Sequence, residues 1–281
     1  MGAHGRTNEC LGADVIDPAE RRASGEAAAD TSSPAARSAS APTSPAASGA
    51  SVETGPVEIE VPGFPPAYVL VPRAAARPKP LVVVTHGAGG RPEPHCAFYA
   101  SFVKDRAFIL CTRGRAMERH LPEPERGYFY DGHHELGKEV LAAIDAAEAR
   151  WGDRLDHERA IFAGYSQGAS MGLLFLHGKP EHAARFGRAL FVEGGSADWN
   201  VALSRQMKDA GLTRVAIVCG QTSCKKTADQ SLRYMEKGGL ERTLRYAAGA
   251  GHTYGGPVAP HVEAAFAWLV EDDARFSATE R

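Results

Sequence analysis

The chain has 281 residues, 43% of them hydrophobic and 23% charged, with a formal net charge of −2. That length holds one α/β domain with a sizeable core and an appended segment. A near-neutral balance without basic blocks argues against nucleic acid as the main partner, and no apolar run approaches the roughly 20 residues of a membrane-spanning helix.

Residues 1–55 are dominated by Ala, Ser, Pro, Gly and Thr and contain almost no large apolar side chains. Such a segment cannot bury enough surface to offset its chain entropy, so a disordered tail or tether is expected, with the folded domain over 56–281. The first thirty residues lack the apolar core of a secretory signal peptide, which makes a cytoplasmic location the default expectation. There are five cysteines: Cys10 in the tail, and Cys96, Cys111, Cys219 and Cys224 in the folded part. None has the C-x-x-C spacing of a structural zinc site. Cys219 and Cys224 flank a strand end closely enough to pair across residues 220–223, and free thiols are the alternative. A bond there would imply an oxidising compartment and export, and would require another explanation for the signal, such as a misplaced start.

Order is predicted to begin near Val57. Residues 57–61 alternate apolar and acidic side chains, the pattern of a half-buried strand, and 67–71 is its antiparallel partner after a Pro-Gly-Phe-Pro-Pro turn. The β-branched run 81–85 and the apolar run 107–111 are strands covered on both faces. Residues 134–151 form an amphipathic helix with Leu136, Val140, Leu141, Ile144 and Ala147 on one face. A short buried strand at 160–163 and a helix from Gln167 to about His177 follow. The alternation then repeats: strands at 188–192, 214–219 and 240–247, and helices at 200–210, 225–237 and 258–270. Strands alternating with helices specify a mostly parallel sheet with helices on both faces. No insertion between the late strands is long enough for a cap domain.

Chemistry concentrates at Gly164-Tyr165-Ser166-Gln167-Gly168, between the strand at 160–163 and its helix. G-x-S-x-G in that context is a nucleophile elbow, a strained turn that lifts the Ser166 hydroxyl clear of the sheet. Glycines at 164 and 168 remove side chains that would collide there. The helix start aims free N–H groups at a developing oxyanion, so the Gln167 N–H is one candidate donor. His86-Gly87-Ala88-Gly89-Gly90, directly after the Val-rich strand, offers a second through Ala88. Gly251-His252, in a glycine-rich loop after the last strand, supplies a general base that can reach back to Ser166.

These three motifs, with Thr253-Tyr254 after the histidine, resemble the α/β-hydrolase superfamily over residues 57–270, nearly all of the expected domain. The resemblance implies an α/β fold with a mostly parallel eight-stranded sheet, a serine nucleophile, a histidine base and no cofactor. The small, lidless form is similar to the dienelactone-hydrolase-like and carboxylesterase-like groups. The chain departs from that pattern at the acid, which usually follows the strand at 214–219. The loop 220–224 reads Gly-Gln-Thr-Ser-Cys and carries no carboxylate. Glu193, at the tip of the preceding strand, is the best replacement, because catalytic groups gather at C-terminal strand ends. Asp198 and Asp229 are the next candidates, and a Ser–His dyad with water is a further possibility.

His133-His134-Glu135 looks like a metal cluster but precedes a long helix, so a cap or solvated turn is expected and no metal site is assigned. Glu93, His95 and Cys96 border the loop after residue 90 without an assigned role. Trp199 and Tyr254 either line a substrate site or simply pack. The expected function is serine hydrolysis of a small-molecule carboxylic ester through an acyl-enzyme. A serine peptidase of the same fold, and a binding module that keeps the elbow without turnover, are the alternatives.

Overall fold

The computed structural model describes residues 53–73 and 76–277. The expected tail up to residue 52, with Cys10, lies outside them. In chain order the first elements are β1 (Gly55–Val61), β2 (Phe64–Val71), β3 (Lys79–Thr85), α1 (Pro92–Val103) and β4 (Phe108–Cys111). A small hairpin of β5 (Arg115–Ala116) and β6 (Tyr128–Phe129) leads into α2 (His133–Trp151) and β7 (Leu155–Tyr165). Then come α3 (Gln167–Gly178), α4 (Pro180–Ala184), β8 (Phe186–Val192), α5 (Val201–Ala210) and β9 (Arg214–Cys219), followed by α6 (Thr222–Gly238), β10 (Glu241–Tyr246) and α7 (Ala259–Val270).

The main sheet has eight strands in the order β1-β2-β4-β3-β7-β8-β9-β10. Strands β1 and β2 pair antiparallel, β2 runs antiparallel to β4, and every pairing from β4 to β10 is parallel. Period-two alternation sorts the core into two layers. From β3, Leu81 and Val83 join α2, α3, α5 and α6 on one face, while Val82 and Val84 join α1 and α7 on the other. Each such valine or leucine taken from water contributes about 1.5–3 kcal/mol. At the open edges, Glu58 and Glu60 of β1 and Glu241 of β10 keep charge in solvent, which discourages edge-to-edge pairing.

Several boundaries differ from expectation for identifiable reasons. The turn before β2 is only Pro62-Gly63, and Phe64, Pro65 and Pro66 already belong to the strand. Chain contacts begin before Val57: the Glu53 carboxylate accepts hydrogen bonds from Arg150 and from Trp151 Nε1. Helix α1 was not expected, because Pro92 and Pro94 and the mixed residues after them mask it. Its buried positions 92, 95, 96, 99, 102 and 103 nonetheless trace a helical stripe, and Pro in a first helical turn loses no hydrogen bond.

Two disulfides fasten the fold, Cys96–Cys111 and Cys219–Cys224. The second is the bond that the sequence leaves open against free thiols; the first joins α1 to the end of β4, and no sequence feature points to it. Among the described residues, no helix is long and apolar enough to cross a membrane.

Candidate active site

At the end of β7 the chain turns sharply at Ser166, whose φ of 51° is unusual for a side chain with a Cβ, and α3 begins at the next residue. Such a conformation costs on the order of 1–3 kcal/mol and persists only where neighbours over-determine it. Here the Ser166 N–H donates to Val192 O (2.9 Å) and the Ser166 carbonyl accepts from Ser170 N (2.9 Å). The flanking glycines are required by backbone approach. A Cβ at Gly164 would lie 2.6 Å from Ala169 Cα, and one at Gly168 would lie 2.5 Å from His86 O.

Ser166, His252 and Glu193 come from three separate strand exits and meet in one chain of contacts. The Ser166 hydroxyl donates to His252 Nε2 at 2.7 Å, and His252 Nδ1–H donates to Glu193 Oε2 at 3.1 Å. That network assigns the tautomer, with the proton on Nδ1 and the lone pair on Nε2. Glu193 follows β8 directly and, like Ser166, has a φ of 51°. Its side chain is fully buried, so its charge needs partners. Besides His252, Glu193 Oε1 accepts from the N–H groups of Gly220 and Gln221. Gly220 sits so close to the histidine loop that a Cβ there would lie 2.4 Å from Gly251 O. Tyr165 holds the same loop from the other side, its hydroxyl donating to His252 O at 3.0 Å.

The loop after β3 lies against Ser166, since a Cβ on Gly87 would come within 3.1 Å of Ser166 Cβ. It is fixed by Gly89 N donating to Tyr128 O (2.8 Å), Gly90 N to Gly87 O (2.9 Å) and Gly168 N to His86 O (3.1 Å). Among the described residues, the N–H groups of Ala88 and Gln167 donate to no protein acceptor. The Gln167 side chain is committed elsewhere, bracketing Tyr130 with Oε1 to its N–H (3.0 Å) and Nε2 to its carbonyl (3.1 Å).

No protein-family model matches the sequence, and neither does any curated protein. Solved structures do match. A dienelactone hydrolase from Anabaena variabilis ATCC 29413 is 14% identical with a TM-score of 0.55, over 78% of this chain and 97% of that one. The poly(aspartic acid) hydrolase-1 from Sphingomonas sp. KT-1 is 13% identical with a TM-score of 0.52, over 76% and 100%. Carboxyl esterase 2 from Tuber melanosporum is 13% identical with a TM-score of 0.51, over 78% and 86%. The chain has the α/β-hydrolase fold.

Within that α/β-hydrolase fold, the two other candidate acids lie elsewhere. Asp229 pairs with Lys225 along α6 (2.6 Å), and Asp198 makes no hydrogen bond to His252. Trp199 is buried and donates from Nε1 to Gly195 O (2.9 Å), so it packs in the core. Half-buried Tyr254 joins an aromatic group with buried His95 (ring centroids 4.1 Å apart) and half-buried Tyr165 (5.0 Å). Burial, reinforced by the nearby His86, pushes the His95 imidazole down to about 3, so it is neutral packing near the site. Burial also lowers His86, whose ring nitrogens face the carbonyls of Gly87 and Arg113. His133, His134 and Glu135 form the first turn of α2 without capping it, and Glu135 pairs with Lys138. Glu193, Cys219 and Cys224 lie within 4.8 Å of one another, but both sulfurs are bonded to each other and both Glu193 oxygens already accept hydrogen bonds. The trio is therefore no metal site.

Sequence reading missed Gln221 and Tyr165. Gln221 stands where the chain departs from the expected acid, and its Oε1 lies 3.3 Å from His252 Nδ1. Tyr165 occupies the variable position inside the G-x-S-x-G motif, where no spacing rule points to it.

Proposed function

We propose that this protein hydrolyses small-molecule carboxylic esters through an acyl-enzyme on Ser166. The observation that carries the reading is the continuous chain from the Ser166 hydroxyl through His252 to the buried Glu193 carboxylate. Ser166 Oγ attacks the ester carbonyl carbon as its proton passes to His252 Nε2. The oxygen that becomes negative accepts hydrogen bonds from the N–H groups of Gln167 and Ala88, each worth about 3 kcal/mol in such a site. Collapse breaks the bond to the alcohol oxygen, which leaves with the proton from Nε2. Water then attacks the acyl-enzyme, gives its proton to Nε2, and Ser166 recovers that proton as the carboxylic acid departs. Throughout, Glu193 keeps Nδ1 protonated and stabilises the imidazolium that forms twice in each cycle.

Among the described residues, no cap domain is inserted between the late strands, and only Gly220 and Gln221 separate β9 from α6. That openness supports short acyl groups over long chains. The test is a panel of p-nitrophenyl esters of increasing acyl length. Turnover that is greatest on short esters and abolished by Ser166→Ala is the expected result. Preference for long acyl chains would contradict the architecture, and a folded protein with no turnover and no fluorophosphonate labelling would favour a binding module.

A further inference from the structure

We propose that Gln221 is a second positioning residue for His252, dividing with Glu193 the task that one loop carboxylate performs alone. The inference rests on the reading of His252 as the base. Gln221 engages the site twice. Its side-chain carbonyl lies 3.3 Å from His252 Nδ1, which already donates to Glu193 Oε2 at 3.1 Å, so the single N–H is shared between two acceptors. Its backbone N–H donates to the other Glu193 oxygen at 3.0 Å, beside the bond from Gly220. Gln221 therefore fixes the imidazole directly and again through the carboxylate that holds it.

The surroundings keep Gln221 where it is needed. It is the residue immediately before α6, and the Cys219–Cys224 disulfide closes the short loop that carries it between the end of β9 and the first turn of α6. A closed loop of that size leaves the backbone few alternatives, so the amide and the side-chain carbonyl stay aimed at their partners. The division has a chemical logic. An amide carbonyl accepts a hydrogen bond without adding charge, so His252 gains a second restraint on its ring orientation while only Glu193 stabilises the imidazolium electrostatically. The other groups facing His252 are the Ser166 hydroxyl and the ring of Tyr165, the last residue of β7, while Tyr254 follows two residues on in the same loop. Burial, followed by the Glu193 charge, raises the Tyr165 phenol, and burial raises Tyr254, so both are neutral and Glu193 is the charged neighbour.

The experiment measures pH profiles of kcat and KM on a short p-nitrophenyl ester for Gln221→Ala, Gln221→Glu, Glu193→Gln and the double variant Glu193→Gln/Gln221→Glu. Gln221 is exposed, so the fold should tolerate these changes, and thermal midpoints check this directly. Losing one of two acceptors should lower kcat about tenfold in Gln221→Ala with KM unchanged. In Gln221→Glu a second carboxylate favours the imidazolium, so the acidic limb of kcat should move to higher pH by about one unit. The double variant carries its only carboxylate on the neighbouring strand exit and should recover at least tenfold over Glu193→Gln alone. Wild-type kcat in Gln221→Ala, with no recovery in the double variant, would overturn the proposal. That result leaves the Ser166 reading standing as long as Ser166→Ala is inactive; full activity in Ser166→Ala would instead remove the reading beneath it.

Discussion

The two disulfides occupy matching places and serve different ends. Cys111 ends β4 and Cys219 ends β9, and each of these strands lies two positions from β7, on opposite sides. Each bond ties a strand end to an early turn of a helix. Around Cys96–Cys111 the neighbours are core: Tyr99, Phe102 and Val103 of α1 pack on Val82, Val84 and Ile109. Around Cys219–Cys224 the loop donates two N–H groups to a buried carboxylate and faces a histidine whose side chain is 43% exposed. The same covalent device fastens packing on one side of the sheet and charge geometry on the other. Its consequence depends on which groups the stapled loop touches.

The charge side of that comparison predicts the largest effects. Ser166→Ala and His252→Ala should each lower kcat by about 10⁶, the loss seen when a member of a cooperating triad is removed. Glu193→Gln keeps the shape but loses the charge that stabilises the imidazolium, for which about 10⁴ is expected. Adding it to Ser166→Ala should cost little more, because the three act as one unit. Asp198→Asn and Asp229→Asn should stay near wild type, and collapse of either one while Glu193→Gln remains active would relocate the acid.

Removing the disulfides one at a time sharpens the contrast. By the loop-closure argument, the bond spanning 15 residues contributes about 3 kcal/mol and the one spanning 5 about 2 kcal/mol. Cys96→Ser/Cys111→Ser should therefore show the larger drop in thermal midpoint, with kcat within about threefold of wild type well below melting. Cys219→Ser/Cys224→Ser should melt higher than that variant yet lose about tenfold in kcat, as Gln221 and the two amides lose their fixed placement. Equal kinetic losses in the two variants would break the comparison.

Much of the packing side and part of the charge side were legible in the sequence. The runs at 81–85 and 214–219 carry their burial in their residue types, and the G-x-S-x-G turn carries its geometry in Gly164 and Gly168. Glu193 was a candidate in the sequence because the loop after β9 holds no carboxylate, and its carboxylate lies 3.1 Å from His252 Nδ1. Helix α1 was obscured by its two prolines and by His95, a polar residue on the buried stripe. Gln221 and Tyr165 could not be read because their roles depend on contacts across 31 and 87 positions in the chain. Such contacts arise only when separate strand exits are brought together, and no local periodicity records them.

In the proposed reaction, Ser166 Oγ is the atom that becomes acylated. The direct measurement is intact and peptide mass spectrometry after the folded protein reacts with a fluorophosphonate, at pH 7–8, for the wild type, Ser166→Ala and His252→Ala. A single adduct on the peptide carrying Ser166 is predicted for the wild type, with none in Ser166→Ala and much slower formation in His252→Ala. An adduct on another residue, or ester turnover by wild-type protein that acquires no adduct at Ser166, would contradict it.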